Sequence, residues 1–201
     1  MNNSLIDGFK WINESKKEYR HGTLAIEAPA ESDFFCNNGV TSETGASPQN
    51  LLNAPFYYTE VSGDFVMRIQ VSHEFKDTYD AAAIMVMQDV NVWAKACLEK
   101  TDFNTHAVVS VVTNHTSDDA NGCNIEGDTV WLQVARVGNA FSFHYSLDGI
   151  TFDMMRFFSL PVDKTIKVGL VAQAPIGGGG ARIFKNFSLV NKTVKNIRFG
   201  E

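Results

Sequence analysis

Cysteine is scarce and unpatterned. Cys36, Cys97 and Cys123 stand at wide, motif-free spacing, so neither a disulfide framework nor a zinc site follows from them. Free thiols, buried or half-buried in a reducing compartment, are the expectation. A basic excess is also lacking: 17 Lys and Arg against 23 Asp and Glu leave a net charge of −6. That balance argues against a nucleic-acid or anionic-membrane binder. The longest strictly apolar run, Ala81 to Met87, falls far short of a membrane span. Met1 to Phe9 holds no basic cluster followed by an apolar core, so no signal peptide is expected. Without a secretory route, the Asn-x-Ser/Thr matches at Asn2, Asn13, Asn114, Asn186 and Asn191 read as chance. The expected location is cytoplasmic.

What the chain does have is a globular composition. It has 201 residues, 44% hydrophobic and 20% charged, with 15 Phe and 15 Gly, which excludes disorder, collagen and coiled coil. That length suits one domain, residues 1–201, able to bury roughly 70% of its unfolded surface without a metal or cross-link. Helical periodicity is almost absent and alternation with period two dominates. In Val92 to Glu99, Trp93, Lys95, Cys97 and Glu99 point one way, and Val92, Ala94, Ala96 and Leu98 the other. The second set is apolar and belongs to a core. The first is expected to meet water or ligand.

Ala140 to Phe157 reads as a hairpin with a type I′ turn at Asp148-Gly149. That turn would pair Tyr145 with Phe152, Phe143 with Met154, and His144 with Asp153, with Phe141, Phe143, Tyr145 and Phe152 on the core face. Further strands are expected at Gly63–Glu74, Tyr79–Asp89, His106–Thr113, Thr129–Val137, Thr165–Ala174 and Ala181–Asn191, with short ones near Phe9–Ile12 and Leu24–Ala28. Segments 29–55 and 114–128 read as long loops, rich in Ser, Asn, Gly and Asp, where binding sites tend to sit. Many short strands joined by turns spell an all-β antiparallel sandwich.

Recognised chemistry is thin. Gly177 to Gly180 lacks the Lys-Ser/Thr of a phosphate loop and precedes a strand, so it reads as a turn. The five histidines show no ligand spacing, and neither metal nor cofactor is implied. Glu126-Gly127-Asp128 begins a glucanase-like carboxylate run, but Val130 stands where its last Glu would be. On the Trp93 face, Lys95 and Glu99 lie roughly 13 Å apart along the strand, too far to pair directly. Each needs a cross-strand partner, water or a ligand, and an adjacent Trp suits sugar rings and small polar ligands.

These same residues carry a resemblance. Tyr79-Asp80-Ala81-Ala82, Asp89, Trp93 to Glu99, Val111-Val112-Thr113, Ser117-Asp118, Arg136, Ser146 to Gly149, Arg156, Val168-Gly169 and Ala174-Pro175 together resemble the DUF1349 family, from about Trp11 to Phe187. Ala81, Phe35 and Asp119 depart from the family's common Gln, Trp and Trp. The resemblance implies a concanavalin A-like jelly-roll sandwich of two antiparallel sheets with a concave face, and no settled activity.

Three functions follow as expectations. The first is a non-catalytic carbohydrate or small polar-ligand binding domain using Asp80, Trp93, Lys95, Glu99, Thr113, Asp118 and Arg136. The second, implied by the resemblance to a family that includes a regulation-of-enolase protein, is a regulatory protein acting on a protein partner. The third is a divergent glycoside hydrolase, disfavoured by Val130.

Overall fold

The computed structural model describes residues 6–37 and 51–201. Sixteen strands follow one another in these residues: β1 Lys10–Ile12, β2 Lys17–Arg20, β3 Thr23–Ala28, β4 Phe34–Phe35, β5 Leu51–Leu52, β6 Phe56–Ser62, β7 Phe65–His73, β8 Ala81–Asp89, β9 Val92–Lys100, β10 His106–Asn114, β11 Thr116–Asn124, β12 Thr129–Val137, β13 Ala140–Ser146, β14 Asp153–Ser159, β15 Thr165–Gln173 and β16 Gly180–Val190. There is no helix among them, and hence none long and apolar enough to cross a membrane. Sheet A has seven strands in the order β1-β6-β15-β8-β9-β10-β11, and sheet B has seven in the order β14-β13-β12-β7-β16-β3-β2. Every pairing is antiparallel, and the two sheets form the expected all-β jelly-roll sandwich.

Alternation builds the interior. Phe65, Met67, Ile69 and Val71 of β7 meet Ala94, Ala96 and Leu98 of β9 between the sheets. Phe141 and Phe143 of β13 join them, with the Phe143 and Phe158 ring centroids 4.9 Å apart. Truncating a fully packed ring leaves a cavity that neighbours cannot fill. Phe143→Ala is therefore expected to lower the unfolding free energy by about 3–5 kcal/mol in urea titration. A loss below about 1 kcal/mol would show that the ring is not a core element.

The hairpin differs from its expected register. Tyr145 faces Asp153, His144 faces Met154 and Phe143 faces Arg156, with an irregularity between Phe143 and His144. Asp148 causes the change: its Oδ1 accepts from Ser146 Oγ, Ile150 N and Thr151 N, which shapes a wider loop than a two-residue turn. A one-residue slip moves a side chain to the opposite face. Phe152 accordingly lies under the Arg68 guanidinium, 4.4 Å from its ring centroid, rather than in the core. The expected loop 114–128 is corrected as well. His115, at φ 66°, turns the chain so that β11 pairs along β10, and tertiary pairing overrides the weak strand preference of Ser, Asp, Asn and Gly. Of the expected loop 29–55, residues 38–50 lie outside the described residues, as do Met1 to Leu5; within the described part, β4 pairs with β5, so that segment is not loop throughout.

Both sheets are roofed. Over sheet B, Val194 packs on Val66 and Ala135, while Gly200 O accepts from Gln133 Nε2 at 3.4 Å. Gln133 Nε2 also faces His144 Nδ1 at 3.3 Å, and His144 Nε2 faces Arg198 O at 3.0 Å, so the imidazole carries its proton on Nε2. Ser142, His144 and Ser146 do face away from the core, yet all three are buried beneath or beside this segment. Gly200 is required there: its φ is 72°, and a Cβ would stand 2.1 Å from Gln133 Nε2.

Candidate functional site

Sheet A presents its other face to a roof formed by residues 32–36 and 52–54. Register places Trp93, Lys95, Cys97 and Glu99 of β9 on that face, beside Met87, Met85, Ala83 and Ala81 of β8 and Thr113, Val111, Val109 and Ala107 of β10. Phe34, Phe56, Tyr58 and Ala54 complete a second dry layer, with Phe35, Cys36 and Leu52 packed against it. A bridge between Ser32 and Ala174 and hydrogen bonds from Asn13 Nδ2 to Leu52 O and Ala54 O hold the roof down.

The shared face of Trp93, Lys95 and Glu99 is as expected, but its meeting with water is not. Trp93 is fully buried, with its ring edge-on to Phe34 at 5.9 Å and its Nε1 donating to Val90 O. Lys95 is buried and its ammonium is saturated: Nζ donates to Asp33 Oδ1 at 2.7 Å, Phe34 O at 2.8 Å and Gln173 Oε1 at 2.8 Å. Burial works to lower its pKa, and the Asp33 carboxylate more than reverses that, so the lysine stays charged. Thr113 is buried too, its hydroxyl 2.8 Å from Ser117 Oγ, which in turn accepts from Cys36 N. Cys97 lies at the centre of this layer, and burial pushes its thiol well up, which makes it inert as a nucleophile.

Asp80, Asp118 and Arg136 do not join the face. Asp80 is fully buried against Arg182, whose Nη2 lies 3.0 Å from Oδ1 but off the hydrogen-bonding direction. Arg182 Nε and Nη2 donate to Gln173 O. Asp80 thus reaches Lys95 only through Arg182 and Gln173. Asp118 pairs in register with Val112, on the opposite face of the sheet, and its 74% exposed side chain meets Arg156 at 2.9 Å. Arg136 belongs to sheet B, where its guanidinium donates to Gly138 O, Lys164 O and Asp163 O. It ties loops at one end of the sandwich. An arginine placed by sequence alone carries no information about which sheet receives it.

Glu99 closes the face at its far end. It is 8% exposed and is not one of the fully buried polar groups without a partner, which among the described residues are Asp80 Oδ1 and Ser142 Oγ. Its cross-strand neighbours on the same face are Ala81 and Ala107, both buried in the same dry layer. Burial pushes the Glu99 carboxyl well above the usual range; Lys95 pulls it down, and Asp119, Asp33 and Asp102 add to the rise. Tyr79 stands at the same end. Burial, then the charges of Asp102 and Glu99, its hydrogen bond to Asp102, and Asp119 push its phenol up to about 12, so the hydroxyl keeps its proton and donates it to Asp102. Its backbone sits at φ 67°, an uncommon conformation for a bulky side chain and one enriched at functional sites. Next to Asp102, Phe103 is 74% exposed.

Tyr79 and Asp102 are the residues that sequence reasoning missed as site members. Tyr79 opens the Tyr79-Asp80 run and so was visible as a motif; nothing in the sequence marks Asp102. No group of three or more His, Cys, Asp or Glu among the described residues has a metal-holding arrangement. Glu126 and Asp128 are exposed in the connection from β11 to β12.

The sequence profile of DUF1349, described as a protein of unknown function, matches residues 11–192. Regulation of enolase protein 1 of Saccharomyces cerevisiae is 27% identical over 193 residues, which cover 94% of this chain and 91% of that one. The crystal structure of a functionally unknown protein from Saccharomyces cerevisiae superposes with a TM-score of 0.81 at 24% identity, over 94% of this chain and 99% of the other. The carbohydrate binding module CBM66 from Bacillus subtilis shares the fold with a TM-score of 0.55 at 11% identity, over 89% of this chain and 94% of the module.

Proposed function

The chain belongs to the DUF1349 family, and from that premise we propose that it is a non-catalytic binding domain for a small polyhydroxylated ligand, held above Glu99 at one end of the outer face of sheet A. The observation that carries this is Glu99 itself: a carboxyl nine-tenths buried, held well above the usual range by that burial, at the end of a face where Lys95 and Thr113 are hydrogen-bonded within the chain. A ligand hydroxyl would hydrogen-bond the part of it that reaches the surface. Asp102, which accepts the Tyr79 hydroxyl, keeps acceptor capacity at the rim, and Phe103 offers an apolar surface for the carbon face of a sugar ring. The fold shared with a carbohydrate binding module supports the same choice of ligand.

Calorimetric titration with a panel of mono- and oligosaccharides tests it. Glu99→Ala is expected to weaken any hit by about 1–3 kcal/mol, or roughly 5- to 150-fold. The urea midpoint should hold or rise, because the variant removes a carboxyl whose burial is costly. Binding that ignores the substitution would place the site elsewhere, and a panel without a hit would end the proposal.

A regulatory role on a protein partner is favoured by one different observation, the relationship to Regulation of enolase protein 1 along nearly the whole of both chains. Capture of a defined protein partner by the wild type, undiminished by Glu99→Ala and accompanied by an empty glycan panel, would favour that role.

A further inference from the structure

Beyond Val190, where β16 ends, the chain lies across the outer face of sheet B, and among the described residues none of it pairs as a strand. At the root, the Asp64 carboxylate accepts from the Thr193 hydroxyl and from Gly138 N. Farther on, Val194 is buried against Val66 and Ala135, with Ile197 packed on the same cluster. Two side chains of the sheet hold the last turn by its main chain: Gln133 Nε2 donates to Gly200 O and His144 Nε2 to Arg198 O. The turn itself is closed internally, with Asn196 O accepting from Phe199 N and Gly200 N and Asn196 N donating to Glu201 O. The cover fits imperfectly. Ser142, which faces Ala135 in register, is buried with its Oγ left without a hydrogen-bond partner, and water would satisfy it once the segment lifted.

The hydrogen bonds beneath the segment have a fixed direction. Arg68 Nε can only donate, so Gln133 presents Oε1 to it and turns Nε2 toward His144 and Gly200. His144 Nδ1 therefore accepts, and Nε2 carries the ring proton to Arg198 O. A proton added to Nδ1 would set two donors head to head. The amide cannot turn over to receive it, because its NH2 would then face the Arg68 donor. The ring is fully buried, and Gly200 lies over it so closely that an added Cβ would stand 3.1 Å from Nδ1. Among the described residues, the charged group whose field reaches the imidazole is Arg68 on β7, which opposes a second positive charge. The other groups around it are neutral: Gln133 on β12, Met154 in register on β14, Ser142 and Ser146 on its own strand, and the main chain of Arg198 and Gly200.

We infer that residues 194–201 form a strap that acidification detaches from sheet B, with His144 as the trigger: an imidazolium there loses its place in the hydrogen-bond chain and regains water only when the strap lifts. This goes beyond the ligand site on sheet A and does not depend on it. Burial holds the His144 pKa below its ordinary 6.5, and the Arg68 charge adds to that against the pull of the Arg198 carbonyl. The strapped state thus binds fewer protons than the released one. Attachment is complete above pH 6.5 and weakens as the pH falls below it, the attached-to-released ratio dropping by up to about tenfold per pH unit until the covered ring itself protonates. Asp64 is held below 3.8, chiefly by the Gly138 N–H and then by the Thr193 hydroxyl. It stays a carboxylate while His144 responds, so the root of the strap remains tied.

The test follows the Val194 methyl and His144 ring signals of the full chain by NMR, from about pH 7.5 to about pH 4.5. Expected is movement of the Val194 methyls toward exposed-chain positions as His144 protonates, with a shared midpoint below 6.5, while Leu132 in the core holds still. In His144→Gln, which cannot gain the proton, Val194 should be indifferent to pH across this range. Val194→Asn replaces the apolar anchor with a neutral amide and should free the strap at every pH. Linkage then requires His144 in that variant to titrate near its ordinary 6.5. Val194 signals that stay fixed while His144 protonates would overturn the inference, as would release that persists unchanged in His144→Gln. Should that variant fail to fold, Val194→Asn decides alone: a His144 midpoint no higher than in the wild type would sink the strap as the partner of this histidine.

Discussion

Arg182→Met is expected to remove about 3–5 kcal/mol of unfolding free energy, the penalty typical of leaving one member of a buried ion pair behind. Asp80 and Arg182 are both fully buried, and Asp80 Oδ2 accepts from Asp77 N. The methionine would fill much of the volume, so the loss would come from the stranded carboxylate and from Gln173 O, which loses two donors. A urea titration with unchanged slope reads the loss directly. Adding Asp80→Asn should restore part of it, because the amide carries no uncompensated charge. A loss below about 1 kcal/mol, or a double variant less stable than the sum of its parts, would show that the pair is not the anchor described.

Trp93→Ala should be of similar size, about 3–5 kcal/mol, as for other buried aromatic truncations. The indole is wedged edge-on against Phe34 and closes the layer beneath the roof. Removing it opens a void between sheet A and β4 and leaves Val90 O without its donor. The effect belongs to stability, and ligand affinity measured on the folded fraction should change by less than the stability does. A variant as stable as wild type that has lost ligand binding would reverse this assignment and return the indole to the binding surface.

Period two in β9 told which side chains share a face, because alternation is a property of the strand itself. It could not tell what lies over that face. The clue was in β8, where Ala81 to Met87 is apolar at every position and buried on both sides, as strands enclosed on two faces are. Read for length alone, that run only excluded a membrane span. The mix of Trp, Lys and Glu on β9 suggested a wet surface, yet Lys95 is neutralised by Asp33, a residue 62 positions away that no local pattern connects to it. That Ala81 and Ala107 stand beside Glu99 could not be read either, because register across three strands is fixed only by tertiary pairing. Phe141 and Phe143 were legible as core, whereas the wider Asp148 loop depended on side-chain hydrogen bonds that a turn dipeptide does not reveal.

β11 has a further consequence for how copies of the chain meet. A long outermost strand offers unpaired backbone groups to any passing chain and is a common route to ordered aggregation. Sheet A ends on one side in β1, only three residues long, and on the other in the nine residues of β11. That longer border is made of Thr, Ser, Asp, Asn, Ala, Gly and Cys, nearly all exposed, and its ladder is irregular opposite Ala107 and Val109. Two copies laid border to border there would bring the Asp118-Asp119 carboxylates of each against an equally acidic strand with little apolar surface to gain. The residues that hid this strand from the sequence are those that keep it from recruiting another.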